Sequence, residues 1–301
     1  MSFGKTSILE SIDLDVTEGE IVVMLGPNGA GKSTLSRIIT GRLKPTRGTV
    51  RLNGQDPFLS RNARRSIGLV PQQVALYQRL TSRENLTGIG AIMGTSRKFM
   101  KQRVLDLVNR VGLKDRIDDP IKDLSGGMRR RVNIAASLMH DPSLLILDEP
   151  TVGLDYKAQL GIANLLRSLR TDGTAILLVT HDLDEAELLA DRLAILVRGK
   201  IRICGRPDNL IDGIFQDYRA IELERPRDSA DMVPTELLTG LGLQPGTGED
   251  HWKGFLRGVD PRFTALHDAF SRNTLKAEAF SVRRAGLASL LHHCVEEAER
   301  G

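Results

Sequence analysis

The sequence predicts an α/β fold: a mostly parallel sheet covered by helices on both faces, continued by a smaller α+β appendage. Three observations carry that expectation. Short apolar runs rich in β-branched residues alternate with stretches whose apolar residues recur at helical spacing. A glycine-rich turn, Gly26 to Gly31, stands between the first such run and the first helix. Beyond about Ile214 the strands weaken and Gly, Pro and Asp become frequent, which marks a change of domain.

Ile21 to Leu25 is a continuous apolar run, the pattern of a strand buried on both faces. The helix after the turn starts near Lys32, carries Leu35, Ile38 and Ile39 on one face, and stops at Gly41. Thr49 to Asn53 and Ile67 to Val70 read as further strands. Arg83 to Met139 is helical in pattern, interrupted around Asp118 to Gly127. Leu144 to Leu147 is a second buried strand, followed by a helix at Lys157 to Leu169 and a strand at Ala175 to Thr180. Two strands, Leu193 to Val197 and Ile201 to Cys204, flank the Arg198-Gly199-Lys200 turn. In the appendage, Leu287, Leu290, Leu291, Cys294 and Val295 form the apolar stripe of a last helix. These assignments divide the chain into a domain over 1–214 and a C-terminal α+β domain over 215–301.

A chain of 301 residues can bury a sizeable core and still carry an appendage. Lys and Arg exceed Asp and Glu by 42 − 38 = +4, too mild an excess to imply a nucleic-acid partner, and none is expected. No run approaches the ~18 continuous apolar residues of a membrane span. Met1 to Leu9 lacks the charged-then-apolar order of a signal peptide, so the chain is expected in the cytoplasm. Cys204 and Cys294 have neither metal-ligand nor disulfide spacing and read as buried small apolar residues in a reducing compartment.

The chemistry starts at Gly26-Pro27-Asn28-Gly29-Ala30-Gly31-Lys32-Ser33, followed by Thr34. This is the G-x-x-x-x-G-K-[ST] pattern in the strand–turn–helix setting it requires. Glycines let backbone N–H groups approach phosphates, and the helix N-terminus favours anions. Lys32 would reach the β- and γ-phosphates of ATP, and the Ser33 hydroxyl would ligate Mg²⁺. Asp148 and Glu149 end a buried strand, at the edge where open α/β sheets bind ligands. Such a pair alone is as often a helix cap. Beside a phosphate loop, Asp148 fits the Mg²⁺ shell and Glu149 fits a general base acting on water.

A third element is Ser125-Gly126-Gly127, a turn that opens a helix and forms a second anion site, with 20 residues between it and Asp148. With it the sequence closely resembles the ATP-binding subunits of ABC transporters, over about residues 3–210. The resemblance implies a phosphate-loop NTPase (RecA-like) core with an antiparallel β subdomain and a helical signature subdomain at about 83–140. Gln72 matches the family's glutamine loop, implying a ligand of Mg²⁺ and a part in catalysis. Ser125 to Gly127 matches the signature that contacts the γ-phosphate of ATP on the other subunit. Gly153-Leu154-Asp155 matches the loop joining the two sites, with Asp155 at the dimer contact, and His181 matches the switch histidine. Phe3 falls where the family stacks an aromatic on adenine. The family's first strand, ahead of that aromatic, has no counterpart here, and the natural start is expected to lie upstream.

Met128 replaces the family's usual Gln, and Met128-Arg129-Arg130 resembles the subgroup that exports drugs, lipids or polysaccharides through ABC-2-type membrane subunits. Ala75 to Leu86 and the C-terminal appendage resemble that subgroup too. The implied partners are a polytopic membrane permease and a second ATP-binding subunit, with a homodimer expected, peripheral on the cytoplasmic face of the membrane. Import, or an ATPase acting on ribosomes or DNA, is the alternative. The Arg129–Arg131 run reads as a solvated helix face without a catalytic role.

Overall fold

A computed structural model describes residues 1–3, 6–216, 218–224, 235–240, 243–245, 250–257, 261–262, 264–265, 268, 272 and 279–300. It divides into two compact units, Met1–Pro207 with Glu297–Gly301, and Asp208–Glu296.

The first unit is organised by β3 (Ile21–Leu25), whose five residues are all buried. It sits inside a six-stranded sheet of order β4-β5-β6-β3-β7-β8. The other strands are β4 (Ile67–Val70), β5 (Leu144–Asp148), β6 (Ala175–Thr180), β7 (Arg192–Val197) and β8 (Lys200–Gly205), of which β6 and β7 flank β3. The first five strands in that order run parallel and β8 closes the sheet antiparallel to β7. Continuous apolar strands are stable here because helices cover both faces, and each fully buried side chain contributes roughly 1.5–3 kcal/mol. Leu35 and Ile38, on α1 (Lys32–Ile39), join Val22, Met24, Ile146 and Leu177 in one core cluster.

The register decides where the chemistry falls. Val70 pairs with Leu147, Asp148 with Val179, and Leu25 with Thr180. The carboxyl ends of β4, β5, β6 and β3 therefore lie at one level, and the segments leaving them share one edge of the sheet.

Three helices form the remainder of the middle region: α3 (Ser82–Met93), α4 (Arg97–Arg110) and α5 (Gly126–Ser137). A short α2 (Arg61–Arg65) precedes β4. Thr81 and Glu84 close a reciprocal capping box that fixes the start of α3. The three helices pack on one another, and Leu86, Val104, Leu107 and Val132 on them are buried. The interruption is longer than its sequence pattern indicates. Gly112 adopts φ 67 just after α4, and two 3₁₀ turns (Lys114–Arg116, Ile121–Asp123) fill the path to α5. Beyond β5 come α6 (Tyr156–Thr171) and α7 (Leu183–Leu189).

Two expectations need correction. Thr49–Asn53 is not a strand; a single antiparallel bridge, Leu52 to Gln55, is all that forms there. The turn at Asn53-Gly54, both at positive φ, folds the segment back after one paired residue. The antiparallel β subdomain is correspondingly slight: among the described residues it is that bridge and the two-residue pair β1 (Ser2–Phe3) and β2 (Thr6–Ser7). Cys204 is exposed, whereas Cys294 is buried. Cys204 stands on the edge strand β8, where alternate side chains face outward.

The second unit contains a four-stranded antiparallel sheet of order β10-β11-β9-β12. Its strands are β9 (Tyr218–Glu224), β10 (Gln244–Pro245), β11 (His251–Arg257) and β12 (Ala279–Arg284). Phe215 lies 5.0 Å from Phe255, ring to ring. The last helix, Leu287–Arg300, buries Leu287, Leu290 and Cys294, the stripe that its sequence spacing predicts.

Candidate active site

The turn after β3 leads into α1 through Gly31, which adopts φ 109. That is a left-handed conformation suited to glycine, and a Cβ there would stand 2.7 Å from Leu9 Cδ2. No side chain caps α1, and no acidic residue occupies its first turn. Its first amides are thus without an internal acceptor and favour an anion. Lys32 is 7% exposed, and its ammonium donates to the carbonyls of Gly26 and Pro27, inside the loop. Burial pulls the Lys32 amine below its ordinary value, while Glu149 and Asp148 pull it back up. Ser33 is exposed at the mouth. A loop with no competing side chain, lined by amide donors and an ammonium, fits a polyphosphate.

Opposite, Asp148 ends β5 half-buried, its carboxyl pushed up by burial first and by the neighbouring Glu149 next, with Lys32 and Arg130 opposing. A divalent cation would favour its charged form. The donors that can serve one are oxygens, from Asp148, the Ser33 hydroxyl and the Gln72 amide, a hard set suited to Mg²⁺.

Glu149 stands at φ 47, a left-handed conformation that costs a non-glycine residue about 1–3 kcal/mol. Its own N–H donates to Val179 O at 2.8 Å. The turn aims the carboxylate sideways, and both oxygens are engaged. Gln72 Nε2 donates to Oε2 at 2.7 Å, and His181 Nδ1 lies 2.7 Å from Oε1. Because Gln72 is held through its nitrogen, the Gln72 amide oxygen is the atom left to face a cation. Three segments leaving three neighbouring strands therefore meet on one carboxylate.

Ser125 caps α5, accepting from Met128 N at 3.3 Å. Ser125 and Gly126 are exposed, while Gly127 is buried against α6; a Cβ there would come 2.6 Å from Ala158 Cβ. Asp155 caps α6, accepting from Ala158 N at 2.8 Å. The Ser-Gly-Gly turn is thus presented outward from the helical region, on a helix that packs against α3, α4, α6 and β4. Phe3 lies in β1, paired with Thr6, and its side chain is outside the described residues.

One functional arrangement escapes sequence reading. Arg130 is not on a solvated face: it is 4% exposed and donates to main-chain carbonyls of both the glutamine loop and the acidic strand end. Arg131 donates to Val111 O at 2.9 Å and is half-buried. Arg130 thus points inward, to the glutamine-loop and acidic-strand carbonyls beside α5. Two buried asparagines complete the support of the glutamine loop. Asn133 accepts from Ala75 N, and Asn85 bonds both the N–H and the carbonyl of Tyr77. A polar residue at a position that helical spacing assigns to the interior is the one sequence signal for either.

Phosphate-loop proteins that split nucleoside triphosphates combine such a cradle with such a strand end. The family model for ABC transporters matches residues 9–152. The linearmycin resistance ATP-binding protein LnrL of Bacillus subtilis (strain 168) is 38% identical over 217 residues, covering 72% of this chain and 70% of that one. The daunorubicin/doxorubicin resistance ATP-binding protein DrrA of Streptomyces peucetius is 35% identical over 288 residues, 95% of this chain and 87% of that one. This chain belongs to the ABC transporter family, as one of its ATP-binding proteins. The Nod factor export ATP-binding protein I of Sinorhizobium fredii (strain NBRC 101917 / NGR234) is 42% identical over 212 residues, 70% of this chain and 62% of that relative's length. Among solved structures, a dimeric post-hydrolysis ATP-binding cassette bound to ADP and Pi superposes with a TM-score of 0.60 at 31% identity, covering 68% of this chain and 94% of that one. No helix among the described residues is long and apolar enough to cross a membrane.

Proposed function

We propose that this chain is the ATP-binding and ATP-hydrolysing subunit of an exporter, dimerising on ATP and driving a separate ABC-2-type membrane permease from the cytoplasmic face. Residues 1–214 would be the ATPase domain and 215–301 an accessory domain. The observation that carries this reading is the convergence of Gln72 and His181 on the two oxygens of Glu149, beside the phosphate loop. Export rather than import is favoured by the drug-resistance and Nod-factor export relatives.

In this reading the loop of residues 26–34, through its backbone N–H groups (Pro27 has none), and Lys32 hold the β- and γ-phosphates, and Phe3 stacks on adenine. Ser33, Asp148 and Gln72 would hold Mg²⁺, which when bound would offset charge on the transferring phosphoryl group. Glu149 orients a water and takes its proton as the water oxygen bonds to the γ-phosphorus. The bond from that phosphorus to the β-bridging oxygen breaks, and its electron pair leaves with ADP. His181 keeps the Glu149 carboxylate in line. Ser125, Gly126 and Gly127 of a second copy hold the γ-phosphate from the far side, with the Asp155 loops between the two sites. Contacts that exist only with the triphosphate favour the closed dimer before hydrolysis and release it afterwards. The permease would receive that motion through the glutamine loop and the helices at 83–140.

The test is reconstitution in vesicles with the membrane subunit with which the chain co-purifies. ATP turnover should require Mg²⁺, fall to background on chelation, and return when Mg²⁺ is restored. Turnover indifferent to divalent cations would remove Asp148 from the assigned role. Failure to co-purify with any polytopic membrane protein would remove the transport reading.

A further inference from the structure

We propose that Arg130 is a positioning residue that ties the Ser-Gly-Gly turn of a chain to the catalytic carboxylate of the same chain, and so links the two sites of the dimer. The inference rests on the shared-site reading above. It concerns a residue that touches neither nucleotide nor reacting atoms.

Arg130 lies in the second turn of α5, the helix that Ser125 caps. Its guanidinium has five N–H donors and no acceptor. Nε donates to Pro150 O at 2.8 Å, and Nη1 donates to the carbonyls of Pro71 and Gln72. Nη2 donates to Asp148 O and Glu149 O, each at 2.9 Å. Every donor is used, and every acceptor is main chain. The five carbonyls belong to two segments, the glutamine loop and the acidic strand end, which carry Gln72, Asp148 and Glu149.

A structural staple would explain a buried polar side chain, but it does not explain this choice. A guanidinium in the interior loses its hydration, a cost of several kcal/mol that a well-packed apolar residue avoids. Among the described residues its hydrogen bonds all go to main-chain carbonyls, and Glu185 and Asp148 act on it through their charge. What the arginine supplies is a rigid planar fork that fixes five carbonyls relative to one helix. One of them is the carbonyl of Glu149, whose backbone is held at φ 47. A strained conformation persists only where surrounding bonds over-determine it. At Glu149 the determining bonds are the N–H to Val179 O and the carbonyl to Arg130. When the N-terminus of α5 captures the phosphate of the opposite copy, a displacement of that helix is carried through Arg130 to Gln72 and Glu149 of its own chain. Occupancy of one site thereby sets the geometry of the base in the other.

Mixed dimers, co-expressed with two tags, test this by reading one site at a time. Glu149→Gln silences the site of the chain that carries it. With Arg130→Met in one chain and Glu149→Gln in the other, the site that turns over is the one using Glu149 of the Arg130→Met chain. Turnover there should fall on the order of 100-fold, as for a base displaced by about an ångström. With both substitutions in the same chain, the working site is the one served by that chain's Ser-Gly-Gly turn, and its turnover should stay within about twofold of the unmutated mixed dimer. Arg130→Lys, which keeps the charge but not the fork, should repeat the pattern with a smaller loss and covers the case in which Arg130→Met fails to fold. Equal loss at both sites, or loss confined to the site served by the mutated chain's turn, overturns the proposal. A mixed dimer with intact Arg130 that neither assembles on ATP nor turns over would instead overturn the shared-site reading.

Discussion

Replacing Glu149 by Gln is expected to lower ATP turnover by about 10²–10⁴-fold while leaving an ATP-bound dimer that no longer dissociates. The substitution conserves shape. Glutamine at 149 can accept from Gln72 Nε2 through its oxygen and donate through its amide to His181 Nδ1 in the matching tautomer, so both 2.7 Å contacts survive. The backbone at φ 47 is no harder for glutamine than for glutamate. What is lost is a group able to take the water's proton, together with one negative charge facing the γ-phosphate. Loss of the base stops hydrolysis, and loss of the charge strengthens retention of the triphosphate. Phosphate release and light scattering on the same sample measure the two effects. Wild-type turnover in this variant would assign the base elsewhere.

Ser125→Arg is expected to leave ATP binding by the single chain intact and to abolish ATP-dependent dimerisation, weakening it by at least ~100-fold, about 2.8 kcal/mol. Ser125 caps its own helix through Met128 N and is otherwise exposed, so the chain itself loses only a cap, about 1 kcal/mol. Across the dimer, the same hydroxyl and the first amides of α5 would face a γ-phosphate. A long side chain there blocks the approach at both symmetric sites, removing charge-assisted hydrogen bonds worth ~1.5–3 kcal/mol each. Nucleotide affinity of the dilute chain and its sedimentation with and without ATP separate the outcomes. Unchanged dimerisation would mean that the turn faces solvent throughout the cycle.

Local chemistry decided most of what the sequence could determine. The eight residues from Gly26 to Ser33 identify the phosphate cradle because glycine spacing, a lysine and a helix start have few other joint uses. Ile21 to Leu25, Leu144 to Leu147 and Ala175 to Thr180 were legible as parallel strands because nothing polar interrupts them. Gln72, Asp155 and His181 were found through resemblance, since each is ordinary when taken alone, whereas Ser125 to Gly127 was legible as a helix-opening anion site and took only its role across the dimer from the resemblance.

The tertiary structure decided what depends on residues far apart in the chain. Strand register, set by burial on both faces, brings residues 72, 148, 149 and 181 to one edge, and no local pattern specifies that level. Arg130 reads in sequence as one of three arginines on a wet helix face, because a positively charged run is solvated unless something accepts its protons. Its acceptors lie 18 to 59 residues away, so its place in the interior is decided by folding alone. Thr49–Asn53 makes the converse point: strand-like residues form no strand without a partner edge to take their backbone hydrogen bonds.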